Sequence, residues 1–218
     1  MTKNWILDEL FDVWKDVDAT SNFVTDGIID EGLYEDAKLK ILFVMKEPND
    51  PNGTGWDFRE HFRNNNLGVF GKTLAVWAHG ILNKDLNGDF PTWEEYAYEE
   101  AYHSLRHTAF MNVKKTGGKG FSNALEMIEY TKKHFENIRT EIDIIDPKLI
   151  ITGFSWPNLR DAVFPDVVHK DWLNTGYNVF WNMDRSDRII LDFYHPSSRI
   201  PETVSYVMLE KMIKLIGI

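Results

Sequence analysis

The feature that most constrains this chain is a short apolar run, LKILFVM (39–45), that stops abruptly at Glu47-Pro48-Asn49-Asp50-Pro51-Asn52-Gly53. The run is too short for a buried helix and is rich in Ile, Leu, Phe and Val, so it reads as a strand. A strand with no polar alternation is buried on both faces, as in a parallel sheet covered by helices. Three more runs share this character. HTAFMNV (107–113) ends at Thr116-Gly117-Gly118, KLIITG (148–153) is the third, and RIILDFY (188–194) ends at His195-Pro196. NVFW (178–181) is a candidate extra strand pairing with the fourth.

Helical periodicity fills the intervals. Leu7, Leu10, Phe11 and Trp14 share one face of an N-terminal helix over about 4–17. Phe70, Leu74, Trp77 and Ile81 form another stripe, and Thr92-Trp93-Glu94-Glu95 reads as a capping box. Leu125, Ile128, Phe135, Ile138, Ile142 and Ile145 trace one long helix that Asp146-Pro147 ends. Val204, Val207, Met208, Met212 and Leu215 give a C-terminal helix. Strands alternating with helices predict an α/β sheet with parallel crossovers. The stretch 54–106 exceeds one crossover and predicts two helices and a loop decorating the sheet. There is no repeat and no Ser/Pro/Gly-rich linker, so residues 1–218 read as one domain with a helical insertion over about 54–106.

Parallel sheets bind ligands beyond the carboxyl ends of their strands. Four loops therefore define the candidate site. They carry Lys46, Glu47, Pro48 and Asn49; then Asn112, Lys114 and Lys115; then Gly153, Phe154 and Ser155; then His195, Pro196, Ser197, Ser198 and Arg199. Each residue alone has an ordinary reading. Glu47 suits a solvated carboxylate, His195 a structural strand-end histidine, Trp56 and Phe58 the core. Lys114, Lys115 and Lys119 suit a solvated basic face, and Pro196-Ser197-Ser198 a helix start. Asn112 is the least ordinary, because Asn is depleted in strands. The case for function is convergence on one edge.

Composition removes several chemistries. The chain has no Cys, which excludes disulfides, thiolate nucleophiles and iron–sulfur clusters. There is no phosphate loop, dinucleotide fingerprint, nucleophile elbow or His-Glu-x-x-His, and the seven His show no metal-ligand spacing, so neither a metal nor a cofactor is expected. No apolar run approaches the roughly 18 residues of a membrane span, and the N-terminus does not read as a signal peptide, so a soluble cytoplasmic monomer is the expectation. The formal net charge of −10 weighs against tight nonspecific nucleic-acid binding. The charge is uneven: residues 1–40 hold ten acids and four Lys, whereas 103–122 hold no acid but Arg106, Lys114, Lys115 and Lys119.

The four loops resemble those of the uracil-DNA glycosylase superfamily. Met45-Lys46-Glu47-Pro48-Asn49 is similar to its first motif, Gly-x-(Asp, Asn or Ala)-Pro; AFMNVKK places Asn112 where the family has a base-reading Asn; DPKLIITGF (146–154) looks like its third strand and turn; and HPSSR (195–199) is similar to its His-Pro-Ser motif. The likeness covers patches between 39 and 199. It implies a three-layer αβα fold with a central four-stranded, mainly parallel sheet, and excision of a damaged or deaminated base from DNA. It implies Glu47 stabilising the sugar cation and positioning water, and His195 hydrogen-bonding the departing base. Asn112 would read the N3–H and O4 edge of uracil, with Trp56 or Phe58 stacking on the base. Ser197, Ser198, Lys114 and Lys115 would meet the nucleic-acid backbone, and Arg199 would stand where several members insert an apolar wedge. Met45 replaces the motif's first Gly, and Glu47 is one methylene longer than Asp. Two other readings stay open: a nucleobase or single-strand binding module without efficient cleavage, and an enzyme acting on a free nucleoside or nucleotide.

Overall fold

The computed structural model describes residues 1–18, 22–65, 67–92, 98–118, 122–154, 156–165, 167–172, 178–182 and 188–218. The four apolar runs form β2 (Ile41–Met45), β3 (Ala109–Asn112), β4 (Leu149–Thr152) and β7 (Ile189–Asp192). All three junctions among them are parallel, in the order β3-β2-β4-β7. The sheet is wider than the four strands expected. Antiparallel β1 (Gly27–Ile28) extends it beside β3, and β6 (Asn178–Asn182) and β5 (Val167–Trp172) extend it beyond β7, giving seven strands among the described residues. The NVFW run is β6 and pairs with the fourth apolar strand as expected.

The chain leaves β2 for β3 on one side and then crosses to β4 on the other. This reversal opens a crevice at the carboxyl end of β2. Register fixes what meets there: Met45 lies opposite Asn112, Val44 opposite Thr152, and Thr152 opposite Asp192.

Side-chain alternation sorts the sheet into two cores. Ile41, Phe43, Met45, Phe110, Leu149, Ile151, Ile189, Leu191 and Phe193 face one layer. That layer comprises α3 (Phe58–Arg63), α4 (Gly68–Leu82), α5 (Tyr98–Arg106) and α9 (Glu202–Ile216). Leu42, Val44, Ala109, Met111, Ile150 and Ile190 face the other. There lie α1 (Lys3–Asp18), α2 (Glu31–Glu35), α6 (Ala124–Lys133), α7 (Phe135–Ile145) and α8 (Pro157–Val163). The architecture is thus helix–sheet–helix, as an α/β chain with doubly buried strands requires.

Two expectations need correction, and the expected C-terminal helix buries a face that its apolar residues alone do not mark. The long helix of 125–145 is two helices, α6 and α7, broken at His134, whose ring stacks on Trp14 and whose Nε2 lies 2.8 Å from Asp18. Asp146 then ends α7 in the left-handed conformation before Pro147. On α9 the buried face is Ser205, Tyr206, Leu209, Met212 and Ile213, while Val204, Val207 and Leu215 are exposed. Tertiary partners override hydropathy here: the Trp77 indole N–H donates to Ser205 Oγ at 3.1 Å, and the Tyr206 hydroxyl donates to the Pro91 carbonyl at 2.8 Å. Finally, 54–106 holds three described helices, α3, α4 and α5, rather than two. Glu94 and Glu95 of the capping box, with Trp93, lie outside the described residues.

Candidate active site

A pocket of about 380 Å³ opens at the carboxyl end of β2. Glu47, Asn112, His195, Trp56, Phe58 and Ser197, six of the residues singled out from sequence, line it together. Met45, Pro48, Asn49, His61, Phe62, Leu67 and Phe70 complete the wall. Its size falls within the range of small-molecule sites, whose walls are mostly apolar with a few placed polar groups.

Glu47 follows Met45 by two residues and shares its side of the sheet. Its side chain is only 7% exposed, and its Oε2 lies 3.0 Å from Lys114 Nζ. Lys114 also holds Glu126 Oε1 at 2.5 Å. Burial works to lower the Lys114 pKa, but the hydrogen bonds with Glu126 and Glu47 outweigh it and raise it, so the ammonium stays charged beside Glu47. The Thr116-Gly117-Gly118 turn presses on the same loop. The Gly118 N–H donates to the Pro48 carbonyl at 2.9 Å. A Cβ on Gly118 would stand 2.5 and 2.7 Å from the two Glu47 carboxylate oxygens. The Glu47 carboxylate is therefore accommodated by a missing side chain opposite it.

Met45 is 1% exposed. Its thioether occupies the space above Gly153, where a Cβ would also stand 3.3 Å from the His195 Cα. The Met45 side chain is folded against the turn that follows β4 and forms part of the pocket wall.

Asn112 ends β3, is 1% exposed, and has its backbone N–H donating to Asp26 Oδ2 at 2.7 Å. Its side-chain Nδ2 is buried with no hydrogen-bond partner among the described residues. An orphaned amide donor of this kind costs roughly 1–3 kcal/mol unless something accepts its protons. In a pocket wall, that acceptor is most economically a ligand.

His195 follows β7 by three residues. Burial, reinforced by the charge of Lys46, pushes its pKa down to about 4. The Ser197 N–H donates to Nδ1 at 3.1 Å. Nδ1 is therefore an acceptor, and the single ring proton resides on Nε2 as a donor. The Ser198 N–H donates to the His195 carbonyl at 2.8 Å and closes the HPS turn. Phe70 packs on the imidazole with ring centroids 5.7 Å apart.

The aromatic pair divides its labour. Phe58 is 6% exposed and packs on Phe110 at 4.5 Å and Phe62 at 5.4 Å, so it is floor. Trp56 is partly exposed, lines the pocket, and leans on Phe58 at 4.1 Å and His61 at 4.9 Å.

The backbone-contact assignments fare worse. Lys115 is 0% exposed and lies in the core beneath Phe11 and Trp14, with Asp26 at 2.5 Å and Glu141 at 2.8 Å, so it reaches no phosphate. Lys114 is committed to Glu47 and Glu126. The two lysines are thus neither a phosphate contact nor a solvated face. Arg199 is exposed and Ser198 half-buried, and neither lines the pocket. Ser155 and Lys119 lie outside the described residues. Sequence reasoning missed Phe62, Leu67 and Phe70 as pocket wall, because an apolar side chain there carries the same signal as core packing, and it missed His61, a lone histidine with no motif around it.

No protein-family model matches this chain, and a search of curated proteins finds no match.

Proposed function

We propose that this chain is an N-glycosidic hydrolase of the uracil-DNA glycosylase kind, which takes a deaminated pyrimidine into the crevice beyond β2. The observation that carries the reading is the unpartnered, buried Nδ2 of Asn112 in the wall of a pocket that also holds a neutral His195 and an enclosed Glu47. Uracil offers an O4 acceptor for Asn112 Nδ2, and its N3–H suits the amide oxygen. Cytosine reverses both groups.

Cleavage breaks the C1′–N1 bond, and the electron pair leaves with the base. Negative charge gathers on O2, where the His195 Nε2–H donates. Positive charge gathers on the sugar, where Glu47 is the nearest carboxylate. Lys114 Nζ holds Glu47 Oε2 at 3.0 Å and fixes where the carboxylate stands, so its work is electrostatic stabilisation and orientation of the water. Water adds its oxygen to C1′, and its proton is taken up by the departing base anion. Trp56 stacks on the base. Ser197, in the pocket wall, meets the sugar–phosphate, and the exposed Arg199 two residues on meets the strand outside the pocket.

A second reading has a specific observation in its favour. With Lys115 internal and Lys114 spoken for, few cations remain for a phosphate backbone on a chain of net charge −10. A free nucleoside or nucleotide would fit the same pocket without needing them.

The test is excision from labelled single- and double-stranded oligonucleotides carrying uracil, hypoxanthine, xanthine or a G·T mismatch, beside release of base from free deoxyuridine. Alkali-labile breaks that vanish in Glu47→Gln and His195→Ala support the first reading. Base release from deoxyuridine alone, with little salt dependence, supports the second. No release from any substrate at stoichiometric protein and low salt refutes hydrolysis and leaves a nucleobase-binding module.

A further inference from the structure

We propose that Asp26 is a positioning residue for Asn112, held in place by a buried Lys115–Glu141 clamp. This rests on the reading of Asn112 as the residue that meets the ligand.

Asp26 immediately precedes β1, the two-residue strand that pairs antiparallel with β3. Its carboxylate is fully buried and performs two tasks. Oδ2 accepts the Asn112 backbone N–H at 2.7 Å, and Oδ1 receives Lys115 Nζ at 2.5 Å. Lys115 then reaches Glu141 Oε1 on α7 at 2.8 Å. The Lys115 ammonium also lies over the rings of Phe11 and Trp14, at 5.1 and 5.5 Å from their centroids. All three charged side chains are 0% exposed.

Two carboxylates and one ammonium would leave a net negative charge in the core. Burial pushes the Glu141 carboxyl well above the ordinary carboxylate range, the direction that relieves this excess. The result is a fixed ion pair aimed at one backbone amide. That amide belongs to the last residue of β3, where ladder pairing runs out. Inside strands such an N–H is held by the neighbouring strand. At Asn112 the task falls to a side chain brought from 86 residues away. Replacing a buried ion pair by apolar residues is often neutral or stabilising, so stability alone gives this cluster little reason to exist. Fixing Asn112 gives it one.

Two double variants separate positioning from packing. Asp26→Asn/Lys115→Met removes the buried charges but keeps an oxygen for the Asn112 N–H. Asp26→Leu/Lys115→Met removes that oxygen as well. The probe is free uracil, titrated calorimetrically at 25 °C, beside the NMR signals of the Asn112 side-chain amide. The expectation is that the first variant binds within about 3-fold of the parent, while the second binds about 10-fold or more weakly and shows shifted or broadened Asn112 Nδ2 signals. If the Leu variant does not fold, Asp26→Ser/Lys115→Met, whose hydroxyl falls short of the amide, takes its place with the same expected direction.

A folded Leu or Ser variant whose Asn112 side-chain signals match those of the Asn variant overturns the positioning role. If those signals move, but neither that variant nor Asn112→Ala alters uracil affinity, positioning stands. What falls is then the reading of Asn112 as the residue that meets the base.

Discussion

Gly118→Ala is the sharpest perturbation the site offers, because it displaces Glu47 without touching its chemistry. The backbone at Gly118 is not in the left-handed region, so its φ alone does not penalise alanine. The three nearest atoms to an added Cβ all belong to the Glu47 carboxylate, and its oxygens would stand at 2.5 and 2.7 Å. The nearest of them, Glu47 Cδ, would stand at 2.3 Å. A comfortable C···C contact is about 3.5 Å, so the carboxylate must retreat by about 1.2 Å. The end of a flexible side chain yields easily, so the melting temperature should change by no more than about 2–4 °C. Catalytic geometry is less forgiving. A 1 Å misplacement costs about 100-fold, so a loss of about 100-fold in single-turnover base release is expected, with uracil affinity nearly unchanged. Gly117→Ala is the informative contrast. Its Cβ would meet the Asp50 backbone oxygen at 2.5 Å, which cannot swing aside, so that variant should lose stability instead. The assay is single-turnover release on the substrate that the excision panel identifies, run beside thermal melts. A Gly118→Ala protein that keeps its full rate while Glu47→Gln is inactive would refute the argument that Glu47 acts from where it stands.

Three further outcomes are expected. The His195 ring should titrate at about pH 4 in an NMR pH series, and base release should stay level as pH falls through 6.5; a midpoint near 6.5 would contradict the buried, Lys46-opposed environment. Because the folded pKa lies below the ordinary value, the unfolded chain takes the proton first, and His195's contribution to stability is lost as pH falls from about 6.5 to about 4. Lys115→Met alone should cost about 3–5 kcal/mol in urea unfolding by stranding two buried carboxyl groups, and a cost below 1 kcal/mol would show the cluster to be wet. Trp56→Ala should weaken uracil binding with little change in stability, whereas Phe58→Ala should cost about 3–5 kcal/mol of stability; the reverse pattern would exchange their roles as stacking ring and floor.

Much of the fold was written in local signals strong enough to survive any tertiary context. Ile41–Met45 has no polar residue to expose and breakers to stop it, so β2 had few alternatives. What escaped was whatever depends on a distant partner. A two-residue strand such as Gly27–Ile28 has no periodicity to detect; it exists because β3 offers an edge. The α6–α7 break is set by where His134 meets Asp18 and Trp14, and neither is a neighbour in sequence. On α9, Ser205 displaces valines from the inner face because Trp77 supplies it with a donor. Hydropathy ranks residues by transfer to an apolar phase and cannot anticipate a hydrogen bond that makes a serine suitable for burial.

The Lys114-Lys115 pair carries a different lesson, because its error was avoidable. Read as composition, two adjacent lysines after a strand make a basic patch. Read as strand geometry, they cannot act together, since consecutive side chains of an extended chain point to opposite faces. Phe110 faces the α4 layer, so Asn112 and Lys114 continue toward it. Met111 and Val113 face the α1 layer, so Lys115 continues into it. The same parity sends Met45 and Glu47 toward the pocket, and Lys46 to the other face, over Trp156 at 4.4 Å. It sends Leu191, Phe193 and His195 toward the pocket along β7. Once the apolar cores have fixed which residues of each strand look toward α4, alternation alone assembles Glu47, Asn112, Lys114 and His195 on one side and removes Lys115 from it. The polar residues beyond the strand ends thus inherit their facing from the hydrophobic residues before them. In this chain the lysine directed to the pocket side steadies Glu47, and the lysine directed to the core side steadies Asp26 behind Asn112.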